Sequence, residues 1–113
     1  MEIIAQQKLA EFAERHSTSR SALFRWLDLM QQRNFSSINE LRETFPHADL
    51  VKKEIPTQPR QQVPYDNREM IFTIFNIGGN KARLIAIIRY ESQQVFIHKV
   101  LTHAEDDAWN RRG

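Results

Sequence analysis

Three closely spaced apolar runs in the C-terminal half narrow the fold more than any other feature of the chain. Residues 70–77 are dense in Ile and Phe, residues 82–90 are rich in Ile, and residues 95–102 alternate imperfectly. Branched and aromatic side chains of this kind suit a pleated, half-buried surface. Gly78-Gly79-Asn80 joins the first pair of runs, with residues that accept the positive φ of a tight turn. Glu91-Ser92-Gln93-Gln94 joins the second pair. Connections this short leave no room for a crossover, so the three strands are expected to form an antiparallel meander.

The preceding residues read differently. Glu2 to Ala5 suits a short strand, because Ile3 and Ile4 are β-branched. Ala5, Leu9, Phe12 and Ala13 then repeat at the spacing of one helical face. Ser17, Thr18 and Ser19 interrupt that pattern and offer oxygens to cap a second helix. Its buried stripe is Ala22, Leu23, Trp26, Leu27 and Met30, with Arg25, Gln31, Gln32 and Arg33 largely opposite. Ser37-Ile38-Asn39-Glu40 has the form of a capping box and should open a short helix through Leu41 and Phe45, stopped by Pro46. From about 52 to 69, Pro56, Pro59 and Pro64 among Gln, Arg and Lys suggest a long, partly mobile loop. One short strand near Leu50-Val51 has room just before it. The tail from His103 to Arg112 reads as a final short helix, with Thr102 as N-cap and Trp109 as its apolar anchor. A strand, then helices, then a meander is an α+β order, and 113 residues fit one domain, 1–113, around one core.

Composition excludes several classes. No stretch approaches the roughly 20 apolar residues of a membrane helix. Met1-Glu2-Ile3-Ile4-Ala5 lacks the basic start of a signal peptide. There is no cysteine, so disulfides and thiolate metal sites are out, which fits a cytoplasmic protein. Net charge is only +2, but it is unevenly spread. Residues 52–89 hold seven Lys/Arg against three Asp/Glu, whereas the stretches on either side are slightly acidic. A local basic surface is what a phosphate binder needs, and a solvated charged face is the plainer alternative.

Alternate residues of a strand share a face, so Lys81, Arg83, Ile85, Ile87 and Arg89 line one side of the central strand. Leu84, Ala86 and Ile88 line the other. On the next strand His98 is placed with Phe96 and Val100, and His103 and Glu105 follow its end. These groups can gather into one cleft of cations and imidazoles at a sheet edge. Each also has a dull reading. Arg83 can pair with Glu40 or Glu43, and His98 can be a hydrogen-bonded semi-core residue. His103 can simply start a helix, and Glu105-Asp106-Asp107 suits the positive end of a helix dipole. Phe72 and Phe75 read as core rather than as stacking platforms. His103-Ala104-Glu105 has no second ligand pair at metal spacing, so neither a metal nor any other cofactor is expected.

Taken in order, Phe75-Asn76-Ile77-Gly78-Gly79-Asn80-Lys81-Ala82-Arg83-Leu84, Val95-Phe96-Ile97 and Thr102-His103-Ala104-Glu105 resemble the signature of HigB-type toxins of bacterial toxin–antitoxin modules. Residues 40–49 and the Ile3-Ile4 start are similar to that family as well. The resemblance implies a RelE-like fold, with N-terminal helices packed on a curled antiparallel sheet and a short C-terminal helix. It also implies messenger-RNA cleavage, often on the ribosome, and neutralisation by a helix-turn-helix (HigA-like) antitoxin, through which alone DNA would be contacted. Two departures stand out. Where the family usually reads His-x-Glu-Tyr-Asp, Asp106 replaces the tyrosine, and His98 stands where an arginine usually follows Val-Phe-Ile.

RNA carries its own nucleophile, the 2′-hydroxyl, so cleavage needs a base, cations for the extra phosphate charge and an acid for the 5′-oxygen. The expected catalytic set is Arg83, His103, Glu105 and His98. Arg83 and Lys81 stabilise charge, His103 moves the proton, and Glu105 is its partner or the base itself. Lys81, Arg89 and Lys99 are the expected RNA contacts. Two rivals remain: a non-cleaving RNA- or ribosome-binding module of the same fold, and a structural partner whose sheet face buries against another chain. New RNA ends separate the first rival from an enzyme. Salt dependence separates the second, because phosphate binding weakens steeply with ionic strength.

Overall fold

In the computed structural model, which describes residues 1–56, 67–79 and 81–111, the three apolar runs do form three consecutive strands. The elements run β1 (Glu2–Ile4), α1 (Gln7–Arg15), α2 (Arg20–Gln32), α3 (Ile38–Thr44), β2 (Asp49–Pro56), β3 (Asn67–Ile77), β4 (Ala82–Arg89), β5 (Gln94–Leu101) and α4 (His103–Arg111), with a 3₁₀ turn at Ser17–Ser19. None of the helices is long and apolar enough to cross a membrane, among the described residues. Gly78 and Gly79 both take positive φ, +58° and +71°, in the β3–β4 turn, where any other residue type would be strained.

The meander is the middle of a larger sheet. Its order is β1-β5-β4-β3-β2. The expected antiparallel sheet is corrected in one respect: β1 runs parallel to β5, with Glu2 opposite Gln94 and Ile4 opposite Phe96. A parallel pair needs a long connection, and here the helices and three strands supply it. The expected loop is also corrected. β2 runs on to Pro56 and pairs antiparallel with β3 from Asp49–Ile74 to Pro56–Asn67, so residues 52–56 and 67–69 are strand. The expected strand near Leu50-Val51 is the start of β2. The middle of the expected loop, 57–66, lies outside the described residues.

Each face of the sheet has its own core. Ile3, Phe75, Leu84, Ala86, Val95 and Ile97 pack against the apolar stripes of α1 and α2, of which Leu9, Phe12, Leu23, Trp26 and Met30 are buried. Each such side chain contributes about 1.5–3 kcal/mol by leaving water. On the opposite face Phe72, Ile74 and Ile85 form a smaller cluster, roofed by Trp109 of α4.

The caps are partly as expected. Ser37 Oγ accepts from Glu40 N at 3.2 Å, but the Glu40 carboxylate takes the Ser36 hydroxyl instead of closing the box. The Ser17–Ser19 segment gives α2 no side-chain cap and forms the 3₁₀ turn instead.

One irregularity decides what β5 presents. Ile85 faces Lys99 and Ala86 faces Ile97, so His98 is an extra residue in β5, a β-bulge. The bulge keeps His98 and Lys99 together on the α4 face. Val100 returns to the helix side with Val95 and Ile97, so His98 does not share a face with Val100 as strict alternation predicts.

Candidate functional site

Arg83 and His103 lie at the same end of the sheet because the start of β4 faces the end of β5. Arg83 lies opposite Leu101 in register, and α4 begins two residues later at His103. The first turn of α4 directs Asp106 back over the sheet, where its Oδ2 stands 3.8 Å from Arg83 Nε. Both side chains are about a tenth exposed, 11% and 9%. Arg83 Nη1 also donates to the carbonyls of Ala82 (3.3 Å) and Gly79 (3.5 Å). Glu40 and Glu43 are therefore not the partners of Arg83, and Asp106 takes that place. Burial pushes the Asp106 carboxyl above the usual carboxylate range, against the lowering pull of the Arg83 guanidinium.

His103 is more than half exposed, and its Nδ1 lies 3.8 Å from Asp107 Oδ2, one helical turn on. Glu105 does not orient it. Thr102 N donates to Glu105 Oε1 at 2.9 Å and Glu105 N donates to Thr102 Oγ1 at 3.2 Å, a closed capping box. The Thr102 N–H holds the Glu105 carboxyl below its ordinary value, which makes it a weak base. His16 and Arg15, at the end of α1, add their charge to the same carboxylate. Lys81 is exposed on the β3–β4 turn and donates to the Thr18 carbonyl at 3.3 Å.

His98 sits farther along the same face, within an aromatic cluster. Its ring is 5.0 Å from Phe72 and 6.3 Å from Trp109, and these two meet edge to face at 5.3 Å. The Lys53 ammonium lies 3.8 Å from the Trp109 ring centroid and donates to the Trp109 carbonyl. Burial lowers the His98 pKa, and the charges of Lys99, Lys8 and Lys53 lower it further, so the imidazole is neutral at pH 7. Lys8 Nζ also binds the His98 carbonyl at 2.9 Å, just beyond the end of β1, where the β5 edge is open.

Lys99 is one row from the Arg83–Leu101 pair and lines a cleft of about 220 Å³ with Leu101, Glu105, Ala108 and Trp109. Arg89 is not part of this end. It faces Gln94 at the other end of β4, six residues from Arg83, or about 20 Å at a strand rise of about 3.3 Å. The structure thus gathers Arg83, His103, Asp106 and Lys99, keeps Lys81 at the rim and His98 a row beyond, and separates Arg89.

Sequence reasoning missed Lys8, Lys53 and the inward turn of Asp106. Lys53 lay in the presumed loop and Lys8 on a solvated helix face. Only the acid's place three residues after His103 hinted at a shared helix face.

Comparison with known proteins finds relatives of one kind. The family described as HigB_toxin, the RelE-like toxic component of a toxin–antitoxin system, matches residues 61–109. The mRNA interferase toxin HigB of Escherichia coli K12 is 28% identical over 107 residues, covering 95% of this chain and 88% of its own. The mRNA interferase HigB of Escherichia coli O6:H1 is 27% identical over 111 residues, covering 98% and 93%.

Proposed function

We propose that the chain, similar to HigB-type toxins, the RelE-like toxic components of toxin–antitoxin systems, is such a toxin: an endoribonuclease that cuts messenger RNA and thereby arrests translation and growth. The observation that carries the reading is the shared end of β4 and β5. There Arg83, at the start of β4, and His103, at the start of α4, both act on Asp106, with Lys99 one row along β5. Arg83 offers a planar fork for a phosphate in its extra-charged transition state. His103 takes the proton of the 2′-hydroxyl as that oxygen attacks phosphorus. The imidazolium so formed, beside Asp107, is the nearest acid for the departing 5′-oxygen. The products are a 2′,3′-cyclic phosphate and a 5′-hydroxyl end. Because the substrate supplies the nucleophile, no metal-bound water is required. His98 tunes the site as a neutral ring, and Glu105 holds α4 in place.

The substrate is met in the cytoplasm, on the ribosome. A HigA-like helix-turn-helix antitoxin neutralises the toxin and mediates any contact with DNA. A second reading, an RNA or ribosome binder that does not turn over, is favoured by one feature: Asp106 already occupies the anion position at Arg83.

Induction without antitoxin, followed by mapping of RNA ends, separates the two. Cleavage predicts new 5′-hydroxyl ends that Arg83→Ala reduces about 10²–10³-fold, the usual cost of one transition-state donor. His103→Ala should reduce them as severely. Growth arrest by the parent without new ends, or full cleavage by both variants, would overturn the assignment.

A further inference from the structure

Beyond the α4 end, the same sheet face carries an aromatic side chain that packing does not explain. Phe96 on β5 is 38% exposed. Its register partners are Ile87 on β4 and Ile4 on β1, both half-buried, so the ring tops an apolar row across three strands. Ile87 also packs on the cluster holding Phe72 and Trp109. Trp109 roofs that cluster over Phe72 and His98, farther along the face from Phe96.

The charges around this row are mostly positive. Lys99 follows the bulge on the same strand and face, and Lys8 reaches the same strand from α1 to bind the bulge carbonyl. Arg89, which lies far from the α4 end, is one row from Phe96 on the other side, opposite Gln94. The nearby carboxylate, Glu2, accepts a hydrogen bond from Gln94. A flat apolar ring between cations at roughly strand-row spacing matches a nucleic-acid single strand: the base stacks and the phosphates on either side meet the cations. A protein partner satisfied by the apolar row alone has no use for cations on both sides of it.

We propose that Phe96, flanked by Lys99 and Lys8 on one side and Arg89 on the other, is a base-stacking subsite for a nucleotide of single-stranded RNA outside the cleaved bond. The subsite rests on the ribonuclease reading only for the identity of the substrate. It gives Arg89 a role that the cleavage site does not, and it sets the direction of the strand along β4 and β5. Any base stacks on such a ring, so the subsite contributes affinity and register with little sequence preference.

The test uses a 2′-O-methyl oligonucleotide, which binds but cannot be cut, alongside an unmodified RNA of the same sequence. Phe96→Ile keeps an apolar side chain and removes the stacking face, and Phe96→Trp keeps both. Phe96→Ile should weaken oligonucleotide binding at least about fivefold, with Phe96→Trp equal to or tighter than the parent and all three melting together. Arg89→Gln should lower affinity and flatten its salt dependence. An oligonucleotide abasic at the stacked position should bind parent and Phe96→Ile alike. Unchanged oligonucleotide affinity in Phe96→Ile overturns the proposal. If the same variant instead loses the antitoxin, the row is a protein-docking surface. The unmodified RNA keeps the two readings apart: absence of cleavage with a Phe96-dependent affinity removes the nuclease and leaves the subsite standing.

Discussion

Arg83 and Asp106 face each other at 3.8 Å across the gap between β4 and α4, each about a tenth exposed. The HigB-type signature that this chain resembles has a tyrosine where Asp106 stands, and a neutral side chain there would leave the guanidinium to an incoming phosphate. In this chain the phosphate must displace a carboxylate first. Asp106→Asn should therefore raise the cleavage rate. Two like charges about 4 Å apart repel by about 1 kcal/mol in water and more where water is partly excluded, so a gain of about fivefold or more is expected in initial rates. The folded state should tolerate the change. Burial raises the Asp106 pKa, which means that the fold prefers this side chain uncharged. An acid whose pKa is raised by folding weakens the fold above that pKa and ceases to do so as pH falls through it. Melting curves of parent and variant should thus converge on acidification, with the parent the less stable of the two at neutral pH. A slower Asp106→Asn enzyme would show that the carboxylate serves the reaction.

Glu105 was legible as a candidate base, and the structure gives it a cap instead. Glu105→Gln retains an acceptor for the Thr102 N–H and should keep both stability and cleavage close to parental values. Glu105→Ala should cost about 0.5–2 kcal/mol of stability, as lost caps do. The Thr102 N–H lowers the Glu105 pKa. Its contribution is therefore present above the unfolded value and lost as pH falls through the folded one. The difference between parent and Glu105→Ala in urea titrations should shrink toward low pH. Loss of cleavage in a fully folded Glu105→Gln protein would restore the carboxylate to the reaction.

His98 titrates in the opposite sense to a salt-bridged histidine. Burial first, then Lys99, Lys8 and Lys53, lower its pKa below the ordinary 6.5. On acidification from neutrality the unfolded chain takes up a proton that the folded chain refuses. Stability falls through the window from about 6.5 down to the folded pKa, and is fully present above it. His98→Phe keeps a ring against Phe72 and Trp109 and removes the proton. Chemical denaturation at pH 7.5 and 5.5 should show a smaller acid loss in the variant. An identical loss in both would place the titrating group elsewhere.

Much of this architecture was readable because strand and helix periods differ. Arg83, Ile85, Ile87 and Arg89 do share one face, and Leu9, Phe12, Leu23, Trp26 and Met30 are buried as their helical spacing requires. The bulge was present in the sequence only as a flaw: apolar residues at 95, 97 and 100 break the two-residue period by one. Nothing local says whether such a break is a bulge or a strand end. β2 and the start of β3 escaped because Lys52, Lys53, Glu54, Arg68 and Glu69 imitate loop composition, although pairing at a sheet edge tolerates charge. The parallel match of β1 with β5 joins residues about ninety positions apart, and no local pattern encodes it. Asp106 looked like a dipole partner for α4 because its real partner arrives from another strand.

Trp109 makes the placement of α4 testable as a whole. Its indole stands edge-on to Phe72, lies beneath the Lys53 ammonium, and its carbonyl accepts from the same lysine. These contacts are nearly at the far end of α4 from His103, so they fix the helix by its distal turn while the Thr102–Glu105 box fixes the proximal one. Trp109→Ala removes a buried aromatic at a cost of about 3–5 kcal/mol, and the share borne by α4 should appear as faster amide exchange along it. Lys53→Met keeps the stem and removes the cation, at a cost of about 0.5–1 kcal/mol where the pair is partly solvated. Undocking α4 takes both Asp106 and His103 away from Arg83. RNA should then still bind, through Arg83 released from its carboxylate and through Lys99, while cleavage falls with the loss of the imidazole. Retained cleavage in a Trp109→Ala protein whose α4 exchanges freely would mean that the proton-transfer group is not on that helix.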